Sequence, residues 1–188
     1  RAGHYDKGAW DEMVALGWTA LAVPEEAGGI GMNLVTAVSV AEEVGRAAMP
    51  TPLTSTLQTT FVLRDAGSKE STAWLQQITE GNSATLAIYG QDGSLEADST
   101  DVTASGDTLT GTTFYVQDIQ KVDFLVVSAK DGDTVKLYAV NLQSEGVELA
   151  YDRIVDLTRD QGRVTFNKVA AQCISDSGES VLHKALPA

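Results

Sequence analysis

The spacing of apolar residues divides the chain into a helical first part and a strand-rich second part. Up to residue 81, apolar positions recur every three or four residues, as they do on an amphipathic helix. This period predicts helices over residues 7–16, 33–45, 52–66 and 69–80, with Asn33 and Ser68 as N-caps. The side chains predicted to be buried are Trp10, Met13 and Val14 in the first helix, Leu34, Val38 and Ala41 in the second, Leu53, Leu57 and Phe61 in the third, and Ala73, Trp74, Leu75 and Ile78 in the fourth.

From residue 82 onward the pattern changes to short apolar runs that alternate with polar residues and are separated by turn formers. Candidate strands cover residues 85–89, 109–110, 113–116, 124–128, 135–140, 147–149 and 163–166. Asp131-Gly132 and Gly106-Asp107 are typical of tight hairpin turns. Short strands without intervening helices predict an antiparallel β-sandwich or barrel. The fold class is therefore α+β, an all-α part followed by an all-β part.

Charge and composition exclude several classes of function. The chain of 188 residues has a formal net charge of −13, which opposes binding to nucleic acid or to an anionic membrane. Its single cysteine, Cys173, excludes an intrachain disulfide and a cysteine-rich metal site, and we interpret it as a small buried hydrophobic residue. No apolar run is long enough to span a bilayer. We predict a cytoplasmic protein without a metal.

The stretch over residues 16–52 carries the most specific pattern in the chain. It reads LGWTALAVPEEAGGIGMNLVTAVSVAEEVGRAAMPTP, in which Gly17-Trp18 and Val23-Pro24-Glu25-Glu26 are followed by Gly28-Gly29, Gly31 and then the helix ending AEEVGR. This order resembles the acyl-CoA dehydrogenase family. The resemblance continues over residues 111–116, 123–127, 156–159 and 163–166 and so covers essentially the whole chain. On chemistry alone the stretch is a scaffold, because its glutamates have no basic or nucleophilic neighbour.

The resemblance implies three domains and a flavin-dependent reaction. We expect an N-terminal helical domain over residues 1–82, a β domain over 83–175, and the start of a C-terminal helical domain over 176–188. In this family the enzyme oxidises an acyl-CoA to a trans-2-enoyl-CoA with FAD, passes electrons to an electron-transferring flavoprotein, and assembles into oligomers. The catalytic base comes from the C-terminal domain, so no residue of this chain is assigned as catalytic and the chain alone is expected to be inactive.

Two segments of the β domain would contact the flavin by this resemblance, and both depart from the family pattern. The family loop "TEP-x-AGSD" corresponds here to residues 87–95, AIYGQDGSL, in which only Gly93 and Ser94 match. Backbone amides of such a loop can still bind flavin oxygens. In the second segment Tyr115 takes the place of the ring that lies against the flavin, and Gln117 takes the place of a Thr or Ser hydroxyl. Alternatively, Tyr115 only alternates with Phe114 across a sheet.

The altered loop over residues 89–95 supports a second hypothesis, a non-catalytic subunit that pairs with an active homologue. Some family members use this arrangement in steroid side-chain degradation. A third hypothesis retains the fold but changes the reaction to that of an acyl-CoA oxidase or a flavin monooxygenase. Among other charged residues, Arg153 and Arg159 with Asp156 and Asp160 are interpreted as a surface ion-pair network, of little energetic weight.

Overall fold

The computed structural model describes residues 5–94, 96–156 and 158–186. These residues form four α-helices, then eight strands, then one further α-helix, with two short 3-10 helices over residues 25–27 and 97–99, which confirms the α+β fold class. The elements are α1 Lys7–Ala15, α2 Leu34–Arg46, α3 Leu53–Ala66, α4 Lys69–Thr79, β1 Ala84–Ala87, β2 Val102–Ser105, β3 Thr108–Gln117, β4 Phe124–Asp131, β5 Thr134–Asn141, β6 Val147–Tyr151, β7 Gln161–Ala170, β8 Gln172–Ser175 and α5 Gly178–Ala185.

The helix starts follow the capping residues of the sequence. Asn33 accepts a hydrogen bond from the amide of Thr36 through its side-chain oxygen at 3.1 Å. Ser68 and Ser71 form a reciprocal capping box at the start of α4. Both predicted N-caps are therefore confirmed. Helix α3 begins at Leu53, one residue later than predicted, with Pro52 in the capping position.

The predicted buried face of α2 is wrong. Leu34 and Val38 are 56% and 49% exposed, whereas Ala37 and Val44 are buried. Helix α2 packs through this narrower stripe onto a cluster formed with α1 and α3, whose other members include Trp10, Met13, Ala22, Leu53 and Leu57. The helical period identifies an apolar stripe but does not determine which side of it meets α1 and α3. Ala73 of α4 was also predicted to be buried and is exposed.

The strands form one sheet in the order β6-β7-β3-β2-β4-β5-β8, with β1 beside β4. Most neighbours are antiparallel, but β1 and β2 both run parallel to β4. The hairpins at residues 105–108 and 131–134 contain the two predicted turns. Strands β2 and β8 were not predicted; each buries one of its four residues, whereas β1, which is equally short, buries three and was predicted.

Strand β4 explains how the helices and the sheet share one core. Phe124 and Val126 point to a cluster that contains Trp74 and Ile78 of α4. The alternate residues of β4 point to a second cluster built from both halves of the sheet. Because strands as distant in the sheet as β7 and β5 contribute to that second cluster, the sheet must fold over it. The first six residues of β4 are buried, with alternate side chains on opposite faces of the sheet, which accounts for the apolar run over residues 124–127.

Candidate functional site

A β-bulge near the end of β3 exposes Tyr115. The pairing of β3 with β7 shifts between Thr113 and Val116, and Tyr115 in the gap has a φ of 56°. A left-handed backbone is unfavourable for a tyrosine, by about 1–2 kcal/mol, so the surrounding contacts must hold it. The bulge leaves the Tyr115 side chain 41% exposed, while the next residue, Val116, is fully buried.

The ring of Tyr115 lies against the loop that follows β1. Its hydroxyl donates a hydrogen bond to the carbonyl oxygen of Gln91 at 3.0 Å. A Cβ atom placed on Gly93 would touch Cε2 of Tyr115 at 3.4 Å, and the φ of 69° at this position disfavours a residue with a side chain. Tyr89, Asp92, Gly93 and Tyr115 line an open cavity of about 460 Å³. The structure thus brings two predicted site residues, Gly93 and Tyr115, into one cavity.

Three backbone amides of this loop, those of Gln91, Gly93 and Ser94, already have partners within the chain. Gln91 donates to Oδ2 of Asp101 at 2.7 Å, and Gly93 donates to the carbonyl oxygen of Gly90 at 3.1 Å. The amide of Ser94 donates to Oδ1 of Asp92 at 3.0 Å. Leu95, the last residue of the predicted flavin loop, lies outside the described residues. A ligand would have to share these amide hydrogens or displace their present acceptors.

Gln117 lies two residues beyond Tyr115, next to the cavity and outside its lining. Its Nε2 atom donates to the carbonyl oxygen of Tyr115 at 3.2 Å and to Oε1 of Gln161 at 2.6 Å. Gln161 in turn donates to Oδ2 of Asp152 at 3.2 Å. This row of side chains crosses β3, β7 and the end of β6, and it fixes the carboxamide of Gln117 in one orientation.

Directly after Gln117 lies a buried ionic cluster that the sequence analysis missed. The Nζ atom of Lys121 is 2.8 Å from Oδ1 of Asp118 and 3.3 Å from Oδ2 of Asp160, and all three side chains are at most 3% exposed. Ser55 of α3 donates to Oδ2 of Asp118 at 2.6 Å. The interpretation of Asp160 as part of a surface network is therefore wrong, because this carboxylate faces the interior.

The ionic cluster anchors the strand end that carries the site. Asp118 has a φ of 54°, so it and Tyr115 are two left-handed residues on either side of Gln117. The amide of Asp118 donates to the carbonyl oxygen of Asp160 at 3.0 Å, which joins the ends of β3 and β7. Strained backbone persists where surrounding contacts over-determine it, often at functional sites. The only signal for this cluster in the sequence is the spacing of Asp118 and Lys121, three residues apart.

Other candidate chemistry is sparse in residues 5–94, 96–156 and 158–186. They contain no group of three or more His, Cys, Asp or Glu side chains arranged to hold a metal. None of their helices is long and apolar enough to cross a membrane. Burial raises the pKa of the Cys173 thiol, and the Asp176 carboxylate raises it further. A raised pKa disfavours the reactive thiolate, so Cys173 lacks the character of a nucleophile.

The fold matches those of known proteins. The fold matches a variant of the Tcur3481-Tcur3483 steroid ACAD with a TM-score of 0.84 and 26% identity, over 99% of this chain and 54% of that one. An acyl-CoA dehydrogenase from Bacillus anthracis, solved in complex with FAD, matches with a TM-score of 0.79 and 20% identity, over 94% of this chain and 34% of that one. The fold is that of the acyl-CoA dehydrogenase class of oxidoreductases.

Sequence comparison agrees with the fold. Residues 1–82 match the family model described as acyl-CoA dehydrogenase, N-terminal domain. The acyl-CoA dehydrogenase IpdE2 of Mycolicibacterium smegmatis is 34% identical over 109 residues, which cover 56% of this chain and 34% of that protein. The chain thus spans about one third of this curated relative. These comparisons confirm the resemblance to the acyl-CoA dehydrogenase family that the sequence pattern predicted.

Proposed function

We propose that this chain forms the helical and β portion of an FAD-dependent acyl-CoA dehydrogenase that converts an acyl-CoA to a trans-2-enoyl-CoA. The observation that carries the proposal is the half-exposed ring of Tyr115 beside an open cavity of about 460 Å³. The resemblance to the family gives the reaction class. The matched relatives are longer than this chain, so in the proposed enzyme the catalytic base lies outside it.

The cavity fits the ring of a flavin better than its phosphates. An aromatic side chain can stack on the electron-poor isoalloxazine ring. The charged side chain among the described lining residues is the carboxylate of Asp92, which disfavours a phosphate at this spot. Any phosphate groups must therefore be held elsewhere in the assembled protein. Bound FAD would supply the acceptor for the hydrogen and electron pair removed from the β-carbon of the acyl group.

Within this proposal, each of the four predicted site residues has a distinct role. Tyr115 offers a stacking surface, and Gly93 keeps the space beside that ring open because it has no side chain. Ser94 closes the loop, since its Oγ atom accepts from the amide of Glu96 at 3.1 Å. Gln117 presents a polar group at the edge of a ring that lies on Tyr115.

The test is to purify the full-length protein, measure flavin absorbance per subunit, and add acyl-CoA under anaerobic conditions. Bleaching of the flavin is the expected result. Tyr115→Ala is expected to weaken flavin binding about three- to tenfold, the range of an aromatic stacking contact. Tyr151→Ala is the matched control, because Tyr151 is also an exposed strand tyrosine, on β6. Equal flavin affinity in the two variants would contradict the proposed site.

A second function, that of a non-catalytic subunit in a heteromeric enzyme, is favoured by the internal hydrogen bonds of the loop over residues 90–94. Amides that already donate within the chain are poor partners for flavin oxygens. A solved relative in the same family is a steroid ACAD with two named components, Tcur3481 and Tcur3483. Co-purification with a homologous subunit and less than one FAD per subunit would support this function. Full occupancy in a homomer would exclude it.

The electron acceptor and the arrangement of domains complete the proposal. We infer an electron-transferring flavoprotein as the redox partner and an oligomer of acyl-CoA dehydrogenase subunits. Residues 1–82 and 83–175 are proposed as the helical and β domains, and residues 176–188 as the start of a C-terminal one. An oxidase or monooxygenase differs in consuming oxygen during turnover, so an oxygen electrode separates these reactions from the dehydrogenase.

A further inference from the structure

A cavity at the end of the sheet remote from Tyr115 has no role in the proposed function. It has a volume of about 460 Å³, and its lining includes Gly106 and Asp107, in the turn before β3. Tyr115 lies seven residues after Thr108, the first residue of β3, which corresponds to about 23 Å along an extended strand. The described lining residues of this cavity and of the one beside Tyr115 do not overlap. The two cavities are therefore separate sites.

Two hydrogen bonds between distant segments shape this cavity. Oγ of Ser68, the N-cap of α4, donates to the carbonyl oxygen of Ile174 in β8 at 2.8 Å. The amide of Ala171, just before β8, donates to the carbonyl oxygen of Asp107 at 2.9 Å. Ser68, Ile174 and Asp107 all line the cavity. Because these bonds tie the start of α4 and the β2–β3 turn to the segment around β8, the cavity is formed before any ligand enters.

The cavity contains the hydroxyl group of a buried tyrosine. Tyr138 is 1% exposed and lies opposite Cys173 in the pairing of β5 with β8, and both residues line the cavity. The described side-chain atoms that are sealed from water without a hydrogen bond belong to Thr19 and Asp160. The hydroxyl of Tyr138 also makes no hydrogen bond with a described residue but is not one of these, so it opens into the cavity. A buried polar group of this kind calls for a partner.

The neighbours of this hydroxyl agree with its direction. Burial raises the pKa of Tyr138 to about 12, and the nearby Cys173, Asp131 and Asp107 raise it further. All three of these neighbours line the cavity. The phenol is therefore neutral at physiological pH, and its hydroxyl can either donate a hydrogen bond to a ligand or accept one from it.

The charge around the cavity favours a cation. Lys136 is already paired, since its Nζ atom is 3.0 Å from Oδ2 of Asp131 and 2.8 Å from Oδ1 of Asp176. Glu70 and Asp107 also line the cavity, and neither pairs with a described lysine or arginine. The described lining thus carries four carboxylates and one ammonium group, which disfavours a phosphate or carboxylate ligand. The described carboxylates are not arranged to hold a metal, so the geometry favours an organic cation.

We propose that this cavity binds a small organic amine. The ammonium group lies at the carboxylates of Asp107 and Glu70, and a second polar group at the other end of the ligand pairs with the hydroxyl of Tyr138. A simple alkylamine would leave this hydroxyl unpaired, whereas a diamine or an amino alcohol satisfies it. Ile174 and the ring of Tyr138 offer apolar surface to the aliphatic chain between the two ends. The site needs no flavin and goes beyond the proposed function.

The proposal is tested by calorimetric titration of the full-length protein with butanediamine, aminobutanol and butylamine, which differ at one end only. The first two should bind more tightly than butylamine, which has no second polar group. Tyr138→Phe should weaken binding of the first two about two- to tenfold, the range of one hydrogen bond, and leave butylamine unchanged. Tyr151→Phe, on an exposed tyrosine of β6, is the matched control.

Asp107→Asn tests the other end of the ligand. It should weaken binding of all three amines about two- to fivefold, a modest loss because Asp107 is exposed and water screens its charge. Asp98→Asn, on an exposed residue outside the cavity lining, is the control. Equal losses in the two variants would mean that only the net charge of the protein attracts the amine, and they would overturn the site.

Three further results would overturn the proposal: no binding of any amine, equal affinity of the unsubstituted protein for all three, or unchanged affinity of Tyr138→Phe for butanediamine. The variant retains the ring and breaks no hydrogen bond within the described chain, so its unfolding midpoint without ligand should be unchanged. A clear loss would reveal a partner of the hydroxyl within the protein and contradict the site. Flavin absorbance per subunit should be the same in Tyr138→Phe, so failure of the amine site leaves the proposed function standing.

Discussion

The loop and helix over residues 16–52 and the end of strand β3 are held in place by different forces. In the first region a close backbone approach and a narrow apolar stripe fix the chain: Gly29 lies against Val23, and Ala37 and Val44 are buried. In the second region a buried lysine lies between two carboxylates, and one of these belongs to Asp118, a residue with left-handed backbone. The first region carries the family pattern, and the second carries the candidate chemistry.

The difference shows why a family pattern and a functional site need not coincide. Steric fit in the first region depends on Gly29, where an added Cβ atom would lie 2.1 Å from the carbonyl oxygen of Val23. The site region depends on Ser55 of α3 and on Asp118 and Asp160, which adjoin the ends of β3 and β7. The exposed residues of the site can therefore change while this buried cluster is retained. Variants of both regions, taken from the largest expected effect to the smallest, test this contrast.

The largest effect is expected for Lys121→Met. Among the described residues, Lys121 is the cation that pairs with both Asp118 and Asp160. Two carboxylates, those of Asp118 and Asp160, would then be buried without their counter-ion. Breaking a buried ion pair in this way costs about 3–5 kcal/mol of unfolding free energy. Chemical denaturation measures the loss, with Lys69→Met on the exposed surface of α4 as the control.

A double variant distinguishes charge from packing in the same cluster. Adding Asp118→Asn to Lys121→Met removes one of the uncompensated charges, so part of the lost stability should return. The loss of unfolding free energy caused by Asp118→Asn alone is the reference. If the double variant is less stable than Lys121→Met by that same amount, packing rather than charge holds the strand end. The contrast between the two regions would then disappear.

Gly29→Ala is expected to have the next largest effect. A Cβ atom at this position would lie 2.1 Å from the carbonyl oxygen of Val23, a backbone atom that cannot swing away. Forcing an extra methyl group into such a site typically costs about 1–3 kcal/mol. Gly45→Ala is the matched control: nothing lies within 4 Å of its added Cβ, and alanine is favoured within a helix by about 0.5–1 kcal/mol.

Opposite shifts of the unfolding midpoint for Gly29→Ala and Gly45→Ala would confirm steric fit as the main force in the first region. Equal shifts would contradict it. The two glycines are sixteen positions apart in one family pattern, so the comparison also shows that a shared motif does not assign one role to all of its glycines.

The sequence predicted most of what is local and little of what is assembled from distant segments. The caps at Asn33 and Ser68 and the two tight turns depend on neighbouring residues, and the structure confirms them. The prediction of the buried face of α2 was wrong because helical spacing identifies apolar positions but not which of them contact α1 and α3. The carboxylate of Asp160 is buried by its pairing with Lys121, which is 39 positions earlier in the chain.

The candidate site shows the same limit. Tyr115 and Gly93 were predicted from the resemblance, and their shared cavity depends on a β-bulge that no local pattern indicated. The orientation of Gln117 is set by Gln161 of β7 and, through it, by Asp152, which follows β6. Hydrogen bonds between side chains of different strands require the strand register, which the sequence alone does not supply.

A smaller change in unfolding free energy is expected for substitutions on the two faces of α2. Val44→Ala removes two buried methyl groups and should cost about 1 kcal/mol, after allowance for the better helix propensity of alanine. Val38→Ala, on the same helix, removes an equal volume from a side chain that is 49% exposed, so its unfolding free energy should change little. Denaturant titration of both variants checks the packing of this helix. A larger loss for Val38→Ala would restore the original prediction.

The smallest effect is expected for Asp11→Asn, which breaks the exposed counterpart of the buried pair. Nζ of Lys7 is 3.2 Å from Oδ1 of Asp11, but the two side chains are 78% and 63% exposed. Hydrogen bonding to Asp11 raises the pKa of Lys7, so any stabilisation is present below the unfolded lysine pKa and is lost as the pH rises through the folded one. Water and salt screen such a pair.

The unfolding midpoint of Asp11→Asn at neutral pH should therefore stay within error of the unsubstituted protein, and added salt should not change the difference. Any small difference should vanish only in alkaline solution, above the ordinary lysine pKa. A loss comparable to that of Lys121→Met would mean that burial is not what gives the Asp118–Lys121 pair its strength. Both pairs join a lysine to an aspartate within one turn of chain, but the Asp118–Lys121 pair is buried and its lysine also pairs with Asp160, so its loss leaves two carboxylates shielded from water.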